Sequence, residues 1–156
     1  MTDPTVYSID SSALIHAWRR AYRPKNFPSF WRHIDELIQE GRLKASIEVY
    51  NELKKKDDDI FAWCKDRKEH LVVELDEQTQ DVVVRLMKDY PRLVDTVKGR
   101  SGGDPFVIAL AEAGSIKMIV VTEENYGKTR VPDVCLHEGI EPVKIVDLIE
   151  REEWVL

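Results

Sequence analysis

Four acidic side chains occupy the positions in this chain where a metal-dependent reaction would need them. They are Asp10, Glu52, Asp104 and Glu124. Carboxylates that come close together repel one another and raise each other's pKa unless a cation neutralises them. Oxygen ligands without supporting Cys or His suit Mg²⁺ or Mn²⁺. Such a site favours phosphodiester hydrolysis, because the cation activates water and stabilises the leaving oxygen.

Each of these acids also has a simpler explanation. Asp104 precedes Pro105 and an apolar segment, so it suits a helix N-cap, a role that contributes about 1 kcal/mol. The two roles are compatible, because a capping carboxylate keeps one oxygen for a metal. Asp10 could be a turn residue after a strand, and Glu52 could pair with the lysines that follow it. Glu48, one helical turn before Glu52, and Glu123, beside Glu124, are alternative ligands.

The elements that must position the four acids follow from the apolar pattern. Strands are predicted at 6–9, 43–47, 71–75, 118–121 and 143–146. Helices are predicted at 12–22, 29–40, 48–56, after 57–59, at 77–90, from 104, in a short segment between the last two strands and at the C-terminus. Short apolar strands separated by helices predict a parallel sheet covered on both faces. In such sheets ligands bind outside the carboxyl ends of the strands. All four acids are predicted at that edge.

The bulk properties restrict the class of protein. The 156 residues are expected to form a single domain, 1–156, with a net charge of -6, which argues against coating duplex nucleic acid through bulk charge. Cys64 and Cys135 lie far apart without metal-ligand spacing, which is typical of buried thiols in a reducing compartment. No signal peptide or bilayer-spanning segment is predicted, so a cytoplasmic protein without membrane contact is expected.

Four segments carry a resemblance to a known family. They are Ile9–Ile15, Val49–Leu53, Gly103–Ala109 and Val120–Glu124. In this order and spacing they resemble the signature segments of the PIN-domain family. The resemblance implies a three-layer α/β/α sandwich with a five-stranded, mainly parallel sheet. It also implies a ribonuclease that uses Mg²⁺ or Mn²⁺, with Asp10, Glu52, Asp104 and Glu124 as catalytic metal ligands and Ser12 and Thr122 as supporting hydroxyls.

The resemblance also suggests partners. Many PIN proteins are VapC-type toxins that act on RNA, are inhibited by a small antitoxin protein and form homodimers. Lys98 and Arg100, just before Asp104, are placed to meet RNA phosphates. The chain departs from the family pattern at Glu124, where Asp is commoner, and at Asn125-Tyr126-Gly127, where Asp-Phe is usual. The segment 21–31 and the region of Trp63 indicate a less characterised PIN-like branch.

Two other functions remain open from the sequence. A PIN-like module could bind RNA or protein without cutting, and the departures at Glu124 and Asn125 favour it. A phosphoacceptor signalling domain also gathers carboxylates at a sheet edge. That class needs an Asp after the third strand, for which Asp76 is available, and a Lys after the fifth strand. The predicted strand 143–146 places Lys144 inside a strand, which argues against this class.

Overall fold

The sheet of this protein is entirely parallel in the computed structural model, which describes residues 4–56, 58–93 and 104–156. Its strands are β1 (Tyr7–Ile9), β2 (Leu43–Ser46), β3 (Val72–Val73), β4 (Ile119–Val121) and β5 (Pro142–Val143). They lie in the order β3-β2-β1-β4-β5. Tyr7 pairs with Leu43 on one side and Ile119 on the other. The predicted five-stranded α/β fold is confirmed.

Helices cover both faces of the sheet. They are α1 (Ser11–His16), α2 (Pro28–Gln39), α3 (Ile47–Lys56), α4 (Asp59–Lys65), α5 (Lys68–Leu71), α6 (Glu77–Asp89), α7 (Asp104–Ala113), α8 (Val131–His137) and α9 (Ile145–Arg151). Right-handed crossovers place α1–α5 on one face and α6–α8 on the other. In agreement, α2 packs against β2 and α5, whereas α7 packs against β1, α6 and α8. Within the described ranges, no helix is long and apolar enough to cross a membrane.

The strand order creates a switch point between β1 and β4. From β1 the chain moves outward through β2 to the edge strand β3, and then returns to the other side of β1 as β4. The connections that leave β1 and β4 therefore diverge to opposite sides, which opens a crevice at the carboxyl ends of these two strands. Asp10 directly follows β1, and Thr122 directly follows β4. The fold thus brings the first and last of the four sequence segments together.

Two predicted strands differ from the structure by more than one residue. Segment 143–146 was expected to be one strand, but β5 ends at Val143 and α9 begins at Ile145. The backbone N–H of Lys144 donates to Asp147 Oδ2 at 2.9 Å, so the end of the strand is also the start of a capped helix. Segment 71–75 is also shorter than predicted, because Leu71 ends α5 and only Val72–Val73 pair with β2.

The new bounds change the case against a phosphoacceptor domain. Lys144 lies directly after β5, so the argument that it is inside a strand was wrong. However, β3 and β5 are the two opposite edges of the sheet. Four strand spacings of about 4.8 Å separate these edges by about 19 Å. Asp76 instead caps α6, accepting a hydrogen bond from the Thr79 N–H at 2.7 Å. The two residues therefore cannot form one phosphorylation site.

An aromatic cluster joins three helices on one face of the sheet. Trp31 of α2 is buried, with ring centroids 4.9 Å from Trp18 and 5.0 Å from Trp63. Its indole N–H donates to the carbonyl of Tyr22 at 2.6 Å, which satisfies the polar atom of a buried indole. Phe30 and Trp31 of the segment 21–31, which departed from the commonest family pattern, are therefore core residues, and Trp63 is partly buried against them.

We expect Trp31→Ala to lower the free energy of unfolding by about 3–5 kcal/mol, because it leaves a cavity between two indole rings. The measurement is urea denaturation followed by circular dichroism. Met87→Ala on α6 is the control, since Met87 is largely exposed and a surface substitution changes stability by only about 0.5 kcal/mol. Equal losses in the two variants would contradict the packing role of Trp31.

Candidate active site

Asp10 is a buried carboxylate at the switch point of the sheet. Its backbone N–H continues the β1–β4 ladder by donating to the Val121 carbonyl at 3.0 Å. Asp10 caps α1, because Oδ1 accepts hydrogen bonds from the Ala13 N–H at 3.1 Å and from the Ser12 hydroxyl. The residue is only 2% exposed, and among the described residues Oδ2 has no hydrogen-bond partner. Oδ1 therefore has hydrogen-bond donors, whereas Oδ2 has none among the described residues.

Burial raises the pKa of the Asp10 carboxyl. Hydrogen bonds from Ser12, Thr122 and the Ala13 N–H act in the opposite direction, but they are smaller than the cost of desolvation. A buried ionised carboxylate is stable only when it is paired with a cation or fully hydrogen-bonded. The bonds from the Ser12 hydroxyl and the Ala13 N–H go to Oδ1. The buried Oδ2 atom has no partner within hydrogen-bond distance among the described residues, so it suits a cation.

Two hydroxyl groups connect the ends of β1 and β4. Ser12 Oγ lies 3.4 Å from Thr122 Oγ1, and it accepts a hydrogen bond from the Glu123 N–H at 3.1 Å. Thr122 Oγ1 accepts a hydrogen bond from the Glu124 N–H at 3.2 Å. Both residues were predicted to support the site, and in the structure their hydroxyls fix the loop after β4 against the start of α1.

Glu52 reaches the start of α1 from the next crossover. It lies in the middle of α3, and its Oε2 atom accepts a hydrogen bond from the Ser11 hydroxyl at 2.9 Å. Ser11 directly follows Asp10, so this contact holds Glu52 beside the buried carboxylate. Among the described residues Glu52 forms no ion pair with Lys55 or Lys56, the alternative that its position in the helix left open.

Asp104 is the first residue of α7, and its side chain is buried. The Ser8 hydroxyl donates to the Val107 carbonyl at 2.9 Å, which fixes the first turn of α7 against β1. Asp104 lies about 4.5 Å before Val107 along the helix, and Asp10 lies about 6.6 Å after Ser8 along the strand. Because α7 and β1 are antiparallel, both displacements lead to the same edge of the sheet.

Glu123 and Glu124 have different roles. Glu123 Oε2 accepts a hydrogen bond from the Ile145 N–H at 3.1 Å, and its Oε1 atom lies 3.2 Å from His16 Nε2. Glu123 therefore stabilises the start of α9. Both of its carboxylate oxygens already have partners, which disfavours it as a metal ligand. Glu124 Oε1 lies 4.0 Å from Arg130 Nη1, and this side chain borders a surface cavity together with Thr122. Of the two, Glu124 remains the candidate ligand.

Asp10 and Glu124 act on one buried thiol, but the described residues do not form a closed metal cage. Burial raises the pKa of the Cys135 thiol, and the charges of Asp10 and Glu124 raise it further, so both carboxylates act on one buried group. In the parts of the chain that the structure describes, no three His, Cys, Asp or Glu side chains are grouped so that they could hold a metal ion as they stand. A cation would have to draw the carboxylates together.

Other sequence predictions have mixed outcomes. Lys98 and Arg100 lie outside the described residues. Sequence reasoning missed the contribution of Ser11, although its place beside Asp10 was a usable signal. It also missed the capping role of Glu123, which depends on where α9 begins. Asp133, in the first turn of α8, accepts hydrogen bonds from the N–H groups of Gly127 and Arg130 at 2.8 and 3.1 Å.

Comparisons with known proteins agree with this fold. A family model described as "Domain of unknown function (DUF4411)" matches residues 7–156. No curated protein matches the sequence. Among solved structures, a chain from the crystal structure of VapBC2 from Rickettsia felis, bound to a DNA fragment from their promoter, is similar with a TM-score of 0.57 and 12% identity. The match covers 90% of this chain and 98% of that one. The PIN-like fold predicted from four sequence segments is thereby confirmed.

We expect Asp10→Asn to abolish stabilisation by Mn²⁺. Asn keeps the capping oxygen but removes the buried charge, so the metal-free variant should be at least as stable as the wild type. Mn²⁺ at about 100 times its Kd would stabilise the wild type by about 2.7 kcal/mol. The measurement is denaturant unfolding with EDTA or with Mn²⁺.

The matched control is Asp76→Asn. Asp76 caps α6 through the same kind of bond, to the Thr79 N–H, but lies in solvent at the edge of the sheet. This variant should retain the full stabilisation by Mn²⁺. Equal stabilisation of Asp10→Asn and the wild type would show that Asp10 is not a metal ligand.

Proposed function

The chain belongs to the DUF4411 family, and from its PIN-like fold and its acidic site we propose that it is a metal-dependent endoribonuclease that hydrolyses phosphodiester bonds of RNA. The observation that carries this proposal is the Asp10 carboxylate, which is buried at the switch point with Oδ2 unpartnered among the described residues. A helix cap alone does not need a charge in so buried a position, because Asn or Ser can also cap a helix. A group that binds a cation does need the charge.

The four acids have distinct parts in this proposal. Asp10 and Asp104 would be the principal ligands of Mg²⁺ or Mn²⁺, because both are buried at the same edge of the sheet. Glu52 and Glu124 would complete the site, either directly or through water. A divalent cation held there lowers the pKa of an attacking water and stabilises the leaving oxygen of the phosphodiester.

The supporting groups of the chain hold the acids in position. The Ser12 hydroxyl and the Ala13 N–H occupy Asp10 Oδ1, which leaves Oδ2 as the atom available to a metal. The Ser11 hydroxyl orients Glu52 in the same way. Side chains that are fixed before the ligand arrives lose little conformational entropy on binding it. Thr122 supports the loop that carries Glu124.

Further parts of the proposal rest on the resemblance to VapC-type toxins. We infer that the protein acts on RNA in the cytoplasm and that a small antitoxin protein inhibits it. Lys98 and Arg100 would contact RNA phosphates beside Asp104. A homodimer is the expected assembly. The similarity to a chain of the VapBC2 structure supports the toxin class at the level of the fold.

A second candidate function is a PIN-like module that binds RNA or protein without cutting it. The observation that favours it is the absence, within the described ranges, of a preformed group of three metal ligands. Glu124 also lies close to Arg130, which competes with a metal for its charge. RNA binding that needs no metal and leads to no cleavage would select this function.

We expect the purified chain to cleave single-stranded RNA with Mn²⁺ and to be inactive with EDTA. Because losing even an outer partner of a metal site costs about 10- to 100-fold, Asp104→Asn should lower the cleavage rate by at least about 100-fold. Asp76→Asn is again the control, and it should cleave like the wild type. The measurement is gel analysis of labelled RNA over time.

Calorimetric titration with Mn²⁺ separates metal binding from cleavage. The wild type should bind Mn²⁺, and binding should collapse in Asp104→Asn while thermal stability holds. If neither protein binds Mn²⁺, or both bind it equally, Asp104 is only the beginning of a helix. The non-cutting module would then become the better explanation.

A further inference from the structure

A small cavity lies beside the candidate metal site. Its volume is about 180 Å³, which is below the roughly 300–1,000 Å³ typical of sites for drug-sized ligands. The lining residues are Thr122, Glu124, Tyr126, Pro132, Pro142, Val143, Lys144 and Asp147. Thr122 and Glu124 are shared with the candidate active site. A ligand in this cavity would therefore lie directly beside the reacting group.

Tyr126 is the feature of this cavity that most needs an explanation. It is 61% exposed, and no other aromatic side chain among the described residues is so open to solvent. Pro132, Pro142 and Val143 supply apolar walls, and Glu124 and Asp147 supply acidic ones. An exposed aromatic ring in the wall of a small cavity, beside apolar side chains, is suited to stacking on a planar base.

Lys144 supplies a positive charge at the edge of the same cavity. Its Nζ atom donates to Asn125 Oδ1 at 2.8 Å, so the side chain is held over the loop after β4. None of the ion pairs formed by the described residues includes Lys144. In a chain with a net charge of -6, such a cation beside acidic residues is available to an anionic ligand.

The loop that carries Tyr126 is fixed at both sides. Asp133 of α8 accepts hydrogen bonds from the N–H groups of Gly127 and Arg130. On the other side, Asn125 is bonded to Lys144. Hydrogen bonds therefore fix the conformation of the loop that carries Tyr126, and the loop loses little conformational entropy when a ligand binds.

We propose that this cavity binds one base of single-stranded RNA next to the cleaved phosphate, with Tyr126 stacking on the base and Lys144 contacting a neighbouring phosphate. The proposal rests on the proposed nuclease function, whose candidate ligand Glu124 borders the cavity. It assigns a purpose to Asn125-Tyr126-Gly127, where the chain departs from the PIN-domain pattern. The cavity has room for one base, so it would hold the nucleotide beside the cut.

The test is equilibrium binding of two probes, fluorescein-labelled octauridylate and octaadenylate, to the full chain in EDTA. We expect Tyr126→Ala to weaken binding by roughly 5- to 100-fold, because stacking on the base is lost. Tyr126→Phe should bind within about twofold of the wild type, since the ring remains. Because Tyr126 is exposed, both variants should keep the melting temperature of the wild type.

Lys144→Gln provides an independent variant. It should weaken both probes alike and reduce the dependence of log Kd on log salt by about one phosphate contact. Lys65→Gln, on the distant helix α4, is the matched control and should leave binding unchanged. Ultraviolet cross-linking of the wild type to octauridylate should map to Tyr126.

Two results would overturn the proposal: wild type and Tyr126→Ala with equal affinity, or a wild type that binds neither probe. Cleavage with Mn²⁺ is measured separately and reports on the nuclease function alone. If the wild type cleaves RNA but Tyr126→Ala binds as tightly as the wild type, the base site is rejected and the nuclease function is retained. An effect of Tyr126 without cleavage would keep the base site in a module that does not cut.

Discussion

The rest of this structure depends on a carboxylate buried at the centre of a parallel sheet. Asp10 stands between the two strands where the chain changes direction, and it is almost fully shielded from water. Charge in such a place destabilises the fold unless it is compensated. The surrounding groups compensate it only in part, since Ser12 and Ala13 serve one oxygen. That imbalance is the reason why we propose Asp10 as a metal ligand and not only as a helix cap.

The long helices and the three central strands were predictable from the sequence to within one residue, whereas the bounds of the two edge strands were not. The helices predicted at 29–40 and 77–90 begin and end within one residue of α2 and α6, because several turns of apolar periodicity specify them. β3 and β5 contain only two residues each, which is too short for any periodicity. Val143–Val146 alternates like a strand, yet the bond from Lys144 to Asp147 ends it early.

The location of the candidate site followed from topology, whereas its contacts did not. Residues after parallel strands and at the start of crossover helices must lie at one edge, so Asp10, Asp104 and Glu124 could be placed there without coordinates. Glu52 lies in the middle of α3, so this rule alone does not place it. Which oxygen meets which donor depends on side-chain rotamers and on neighbouring elements. Glu52 accepts a hydrogen bond from Ser11, and Glu123 accepts one from the start of α9. Both bonds depend on how α1, α3 and α9 pack.

The pairing of β1 with β4 has a consequence for synthesis of the protein. Tyr7 and Ile119 are neighbours in the sheet although about 110 residues separate them in the chain. Contacts of such high sequence separation form late, because a long loop must close first. A nascent chain that has emerged only as far as β3 has Asp10 but neither Asp104 nor Glu124. The acidic edge therefore cannot assemble until the ribosome has released most of the protein.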